Sequence, residues 1–216
     1  PIVANVDNSL NIDADDCESL ITEKTKVLLP VHMLGVPCNM DKIMNLSKKY
    51  NLQVLEDNCE SVGAKYKSHY LGCIGDVGAL SFDFGKVITT GEGGMVLSNE
   101  HSIDKKAREY HDHGHENNPS LPRGRDTRTN YGFNYRMTEM QGAIGKVQLS
   151  KLDYIINENY KNVINNIYFK KSISHIFNNL TSRYKNIEHE ISQGETFDKI
   201  LSNYSVPSDE ITKIKK

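Results

Sequence analysis

The 216-residue chain has no tryptophan and only four cysteines (Cys17, Cys38, Cys59, Cys73), with no C-x-x-C pair among them. That removes the common zinc and thioredoxin-like motifs, and a reducing, cytoplasmic setting is the simplest expectation. No stretch approaches the roughly 20 consecutive apolar residues of a membrane-spanning helix, and no basic-then-apolar leader opens the sequence. An excess of basic charge is missing too. The formal net charge is -2, so neither nucleic acid nor a membrane surface is an expected partner. The length allows one well-packed domain, or one domain and part of another.

What is present centres on Leu80 to Gly94, L-S-F-D-F-G-K-V-I-T-T-G-E-G-G. An apolar run (Val77, Ala79, Leu80, Phe82) ends just before Lys86, and a glycine-rich turn leads into a second run, Met95 to Leu97. This puts Lys86 at the mouth of a buried sheet, as a phosphate contact, a solvated loop charge or a nucleophilic amine. A P-loop requires G-x-x-x-x-G-K-S/T, but Leu80 replaces its first glycine and Val87 follows the lysine. The dinucleotide fingerprint also fails, because Val96 stands where the third glycine belongs. Taken alone, Gly91, Gly93 and Gly94 read as turn residues with positive φ.

Upstream, Leu52 to Glu56 reads as a strand, with Asp57 directly after it. The carboxyl edge of a parallel sheet is where ligands bind in open α/β folds. A lysine and an aspartate at that edge are the pair that pyridoxal phosphate needs: the amine condenses with its aldehyde, and the acid keeps its ring nitrogen protonated.

Four blocks carry a family resemblance: E-D-N-C-E-S-V-G-A (Glu56 to Ala64), G-D-V-G-A-L-S-F (Gly75 to Phe82), K-V-I-T-T-G-E-G-G (Lys86 to Gly94) and F-N-Y-R-M-T-E-M-Q (Phe133 to Gln141). In order and spacing they resemble the DegT/DnrJ-type sugar aminotransferases, over Pro1 to about Ile155. The resemblance implies an α/β fold of the aspartate-aminotransferase type (fold type I), with a mixed, mostly parallel sheet. It also implies a homodimer with a shared active site and amine transfer, with glutamate as donor, to a keto or aldehyde sugar of surface polysaccharide or lipopolysaccharide. Lys86 is then the catalytic amine and Asp57 the ring-nitrogen partner. Glu60 lies near the ring hydroxyl, Ser81 donates to the phosphate, and Asn134 reaches the phosphate of the partner subunit. No metal is expected.

Within the family, the loop D-H-G-H-x-x-N-P-x-x-P-R-G-R-D-T-R (Asp112 to Arg128) looks most like the 8-amino-3,8-dideoxy-manno-octulosonate transaminases. That narrower likeness implies an acidic sugar aldehyde, 8-oxo-3-deoxy-manno-octulosonate, gripped by Arg123 or Arg125. A nucleotide-linked keto-deoxysugar is the alternative substrate, and loop arginines in ordinary surface ion pairs are the bland reading. A related branch dehydrates deoxysugars with histidine in place of the lysine, against which Lys86 speaks. A non-catalytic, truncated or regulatory member of the family is the remaining alternative.

Along the chain, residues 1–150 are expected to form a partial cofactor-binding domain, and residues 151–216 a connecting helix and part of a small domain. The apolar strand P-I-V-A-N-V-D has nothing before it to pair with, and the family's earlier phosphate-binding part is not in the sequence. A fragment incomplete at both ends, unable to bind cofactor normally by itself, is the expectation. Asp13 caps a helix to about Thr22, and Lys26 to His32 forms a strand apolar on both faces. His32 is either structural or a pocket contact. Asn39 caps a helix with Met40, Ile43, Met44 and Leu46 or Ser47 inward, and Asn51 closes it in the left-handed region. Lys65 to Ile74 reads as a surface hairpin or excursion. Asn99 caps a helix with Ile103, Ala107 and Tyr110 on one face. His111, His113 and His115 would align for a metal if extended, or form a polar pocket wall. Thr138 and Gln141 spell a capping box for a helix running, with a break, to Ile156. E-T-F-D (Glu195 to Asp198) weakly suggests the small domain, and S-D-E-I-T-K-I-K-K a last helix.

Overall fold

Capping chemistry sets most of the element boundaries. In the computed structural model, which describes residues 1–122, 124–179 and 196–204, Asp13 accepts from the amides of Asp15 and Asp16 and opens α1 (Ala14–Ser19). β1 (Val27–Leu28) and a 3-10 turn (Met33–Gly35) follow. Asn39 accepts from Lys42 N at 3.2 Å to open α2 (Met40–Tyr50), and Asn51 ends it at φ 52°, as expected of an asparagine in the left-handed region. Next come β2 (Gln53–Asp57), the hairpin β3 (Lys65–Tyr66) and β4 (His69–Tyr70), β5 (Val77–Ser81) and β6 (Gly94–Leu97). α3 (His101–His111), α4 (Glu139–Ser150) and α5 (Leu152–Asn165) complete the first of two compact units, Pro1–Asn166. The capping box at Thr138 and Gln141 is formed, and the helix breaks at Lys151.

The main sheet has the order β1-β2-β5-β6. β1, β2 and β5 are mutually parallel, and β6 returns antiparallel to β5. This is the expected mixed, mostly parallel sheet. α1 and α2 cover one of its faces, where Leu28, Val54, Cys17, Met40, Ile43 and Leu46 form the larger core cluster. Full burial of a side chain such as Ile43, at 0% exposure, contributes about 1.5–3 kcal/mol. A smaller cluster of Val62, Phe82 and Ile88 is packed by Leu80, Leu152 and Ile155.

Three expectations are corrected. The strand at Lys26–His32 is regular only over Val27–Leu28, because Pro30 has no amide to donate. The main-chain bonds nonetheless continue from Asp57 N to Pro30 O (2.9 Å) and from His32 N to Asp57 O (3.0 Å). Only one face of this segment is covered among the described residues: Leu28 is 4% exposed, whereas Val27 and Leu29 are 46% and 51% exposed. Pro1–Asp7 makes only an isolated bridge, Val6 to Ile12, since no described strand lies beside it. Asn99 does not cap α3. Glu100 holds that position without a side-chain bond, its amide donating to Ser98 Oγ at 3.1 Å. Glu109, not Tyr110, is the most buried residue of that helix.

The second unit, Ile167–Lys216, contributes α6 (Ile167–Asn179) and α7 (Phe197–Asn203) among the described residues. Glu195 of the E-T-F-D stretch and all of S-D-E-I-T-K-I-K-K lie outside them.

Candidate active site

β2 and β5 run side by side in register, with Asp57 opposite Ala79, so their carboxyl ends open at one edge. Asp57 is the last residue of β2, and its Oδ1 accepts from Cys59 N at 3.1 Å. Ser81 is the last residue of β5, with its Oγ accepting from Asp83 N at 3.3 Å. The chain then folds back on itself: Lys86 N donates to Asp83 O (3.1 Å), Thr90 N to Phe82 O (3.0 Å) and Phe82 N to Gly93 O (2.8 Å). Gly91 (φ 84°) and Gly93 (φ 135°) occupy the region that side chains avoid and serve the turn, whereas Gly94 is not in that region and opens β6.

Lys86 emerges from this loop with 24% of its side chain exposed, and its Nζ lies 3.7 Å from Glu60 Oε1. The other Glu60 oxygen accepts from Leu34 N at 3.4 Å. The turn after β2 brings Asp57 and Lys86 into one neighbourhood: Asp57 Oδ1 holds Cys59 N, and the next residue, Glu60, faces Lys86 Nζ. Burial pushes the Cys59 thiol up to about 11, the hydrogen-bonded Asp57 carboxylate pushes in the same direction, and the Lys86 charge pulls it down. An amine, a carboxylate and a hydroxyl therefore meet at one sheet edge. That donor set fits pyridoxal phosphate, which presents an aldehyde, a ring nitrogen and a phosphate.

The remaining sequence candidates lie on the loop after α3. Asn134 bridges to Asp112 and accepts from Arg136 Nε at 3.0 Å. No contact among the described residues joins Asn134 to Asp57, Glu60, Ser81 or Lys86. The helix that follows does reach the Lys86 loop, through Gln141 Nε2 to Glu92 O at 2.9 Å. Arg123 lies outside the described residues. Arg125 is exposed and makes no ion pair among the described residues. Arg128 is engaged: its Nη2 donates to His115 Nε2 at 3.0 Å. Because arginine only donates, His115 carries its proton on Nδ1, which donates to Asp126 at 2.9 Å. This bond holds the Asp126 carboxyl below the usual carboxylate range. The three imidazoles do not line up, since His111 ends α3 and His113 takes φ 56°. Among the described residues, no group of His, Cys, Asp or Glu is arranged to hold a metal ion.

The profile of the DegT/DnrJ/EryC1/StrS aminotransferase family matches residues 1–175. The chain belongs to this family. Members of the DegT/DnrJ/EryC1/StrS family are pyridoxal-phosphate enzymes. A GDP-perosamine synthase of Caulobacter vibrioides is 41% identical over 152 residues, 70% of this chain and 40% of that protein. An aminotransferase structure from Psychrobacter cryohalolentis is 40% identical with a TM-score of 0.66, over 70% of this chain and 40% of that one. Helicobacter pylori PseC, an aminotransferase involved in the biosynthesis of pseudoaminic acid, is 27% identical with a TM-score of 0.74, over 83% and 46%. The chain thus spans about 40% of the length of the curated relative, and shares the fold of this DegT/DnrJ group over the part it covers.

Sequence reasoning missed one carboxylate. Glu56, in a strand read as apolar, has no exposed surface. It accepts from Gly72 N (2.9 Å), Ile74 N (2.7 Å), Gly75 N (2.6 Å) and His32 Nε2 (3.0 Å). Burial pushes its carboxyl up, but these bonds together outweigh burial and hold it below its ordinary value. His32 is buried, its Nδ1 accepting from Cys38 N at 3.1 Å, so the proton sits on Nε2. The legible signal was the period-two pattern, which places Glu56 on the same face as Val54. A cavity of about 360 Å³ lies at the opposite sheet edge between Ile21, Lys26, Tyr50 and Leu52. It contains none of the candidate residues.

Proposed function

We propose that the protein transfers an amino group from glutamate to a sugar carbonyl, with Lys86 as the catalytic amine. The observation that carries this reading is that Asp57 ends β2 while Lys86 Nζ stands 3.7 Å from Glu60, three residues beyond Asp57. Pyridoxal phosphate, when bound, supplies an aldehyde for amine exchange and a ring that accepts the electron pair left by proton loss. Lys86 would hold that aldehyde carbon, and its free amine would take the proton from the α-carbon of the amino donor as a general base. Asp57 keeps the ring nitrogen protonated, Ser81 donates to the phosphate, and Glu60 stands beside the Lys86 amine. Asn134 completes the phosphate site of a second subunit. Residues 1–150 are the cofactor-binding part and 151–216 the connecting helix and part of a small domain. The setting is cytoplasmic; no described helix is long and apolar enough to cross a membrane.

For the acceptor, the relatives' names favour a nucleotide-linked keto-deoxysugar. An acidic octulosonate aldehyde is the second reading, favoured by Arg125, whose exposed guanidinium is not engaged as that of Arg128 is. The test is borohydride reduction of the full-length protein loaded with cofactor, followed by peptide mass spectrometry. The reduced adduct is expected on Lys86, and Lys86→Ala is expected to lose amine transfer from glutamate. Retention of that transfer by the variant refutes the assignment. A panel of keto sugars and sugar aldehydes, followed by 2-oxoglutarate release, decides between the acceptors.

A further inference from the structure

We infer that the buried Glu56–His32 pair is the device that orients Asp57 toward the cofactor ring. The inference rests on the reading of Asp57 given above. Successive strand residues point to opposite faces, so Glu56 faces the core under α2 while Asp57 faces the open side. The Glu56 carboxylate is anchored by three backbone amides from the segment that crosses β5 and by His32 Nε2. His32 grips the strand a second time through its main chain, donating from its own N to Asp57 O at 3.0 Å, while Asp57 N donates to Pro30 O at 2.9 Å. One residue therefore holds the side chain of Glu56 and the backbone of Asp57 together.

The imidazole is itself immobilised. Nδ1 accepts from Cys38 N at 3.1 Å, and both His32 and Glu56 have side chains with no solvent exposure. Ser61 Oγ donates to His32 O and also accepts from Gly35 N at 3.1 Å, which ties in the turn beside Glu60. At the other end, Asp57 Oδ1 is fixed by Cys59 N at 3.1 Å, and the carboxylate also meets the Cys59 thiol. The strand end can neither twist nor slide without breaking these bonds or those that tie His32 to Glu56 and to the Asp57 main chain, so the carboxylate keeps one direction. Asp57 acts on the ring; Glu56 and His32 are positioning residues that act through it.

Two substitutions of His32 separate this role from a merely structural one. His32→Gln keeps a donor for Glu56 and gives up the bond from Cys38, whereas His32→Asn keeps the acceptor for Cys38 and no longer reaches Glu56. Each loses one buried hydrogen bond. The readout is the nitrogen-15 resonance of labelled pyridoxal phosphate bound to the full-length protein, with folding verified by circular dichroism. We expect His32→Gln to retain the protonated-ring signal. His32→Asn should shift it toward the unprotonated position and lower kcat about tenfold, the usual scale for removing an outer support, with KM changed less than twofold. A folded His32→Asn with the wild-type signal overturns the inference, as does an equal shift in both variants. Should His32→Asn not fold, Glu56→Asp keeps the charge but withdraws it from its amides; a wild-type signal there is equally fatal. Asp57→Asn is the control. If it leaves the signal unmoved, the reading of Asp57 fails rather than that of its support.

Discussion

Replacing Glu56 by glutamine is a sharp test of the energetics. The native carboxylate accepts four N–H bonds, from Gly72, Ile74, Gly75 and His32, on its two oxygens. Glutamine keeps one oxygen and places an amide NH2 against the donors that faced the other. Whichever way it turns, two acceptor bonds are lost and two donors are left facing a donor. Hydrogen bonds to a charged group contribute about 1.5–3 kcal/mol each, and two are lost, so a loss of about 4 kcal/mol is expected. With a urea m-value near 2 kcal/mol/M, typical of small proteins, the midpoint at pH 7 should fall by about 2 M. The pH dependence adds a second constraint. The folded-state value of Glu56 is depressed, so the unfolded chain binds the proton more readily. Its stabilisation is fully present above the unfolded value of about 4.3 and fades as pH falls through the lower folded value. Glutamine cannot titrate, so the gap between wild type and variant should close on acidification. A loss below 1 kcal/mol at pH 7, or a gap that widens in acid, refutes the reasoning.

Two further outcomes follow from backbone geometry. A methyl group at Gly78 would sit 2.0 Å from Gly72 O, with further backbone atoms at 2.7 Å. Gly78→Ala should therefore push the crossing segment away from Glu56 and cost about 3 kcal/mol, the upper end of ordinary overpacking, measurable in the same urea titration; a change under 1 kcal/mol would show that the segment yields freely. Asn39→Ala removes the acceptor for Lys42 N and should cost about 1 kcal/mol, whereas Asn39→Asp should not, a contrast read from thermal melting.

Two signals placed the candidate site in the sequence. Asp57 and Lys86 each follow an apolar run, and a parallel sheet brings such ends to one edge. Glu60 could be carried over only by resemblance, since nothing in its spacing shows that its oxygens lie beside Lys86 Nζ and Leu34 N. The metal geometry imagined for the three histidines failed because the end of α3 and the left-handed His113 set the directions of their rings. The both-faces-apolar expectation for Lys26–His32 failed because periodicity reports which residues could be buried, and only the elements present decide which are.

By itself the sequence determined what depends on neighbours along the chain: the caps at Asp13, Asn39 and Thr138, the left-handed Asn51, and the turn glycines before β6. Each is a short-range match between a side chain and the backbone within a few residues, so local order suffices. Tertiary structure alone decided the state of Glu56 and His32. The bonds to the Glu56 carboxylate join residues 16 to 24 positions apart, and a buried carboxylate is stable only where donors from several segments converge on it. The period-two pattern puts Glu56 on the face of Val54, but only the converging donors decide that its carboxylate stays ionised there.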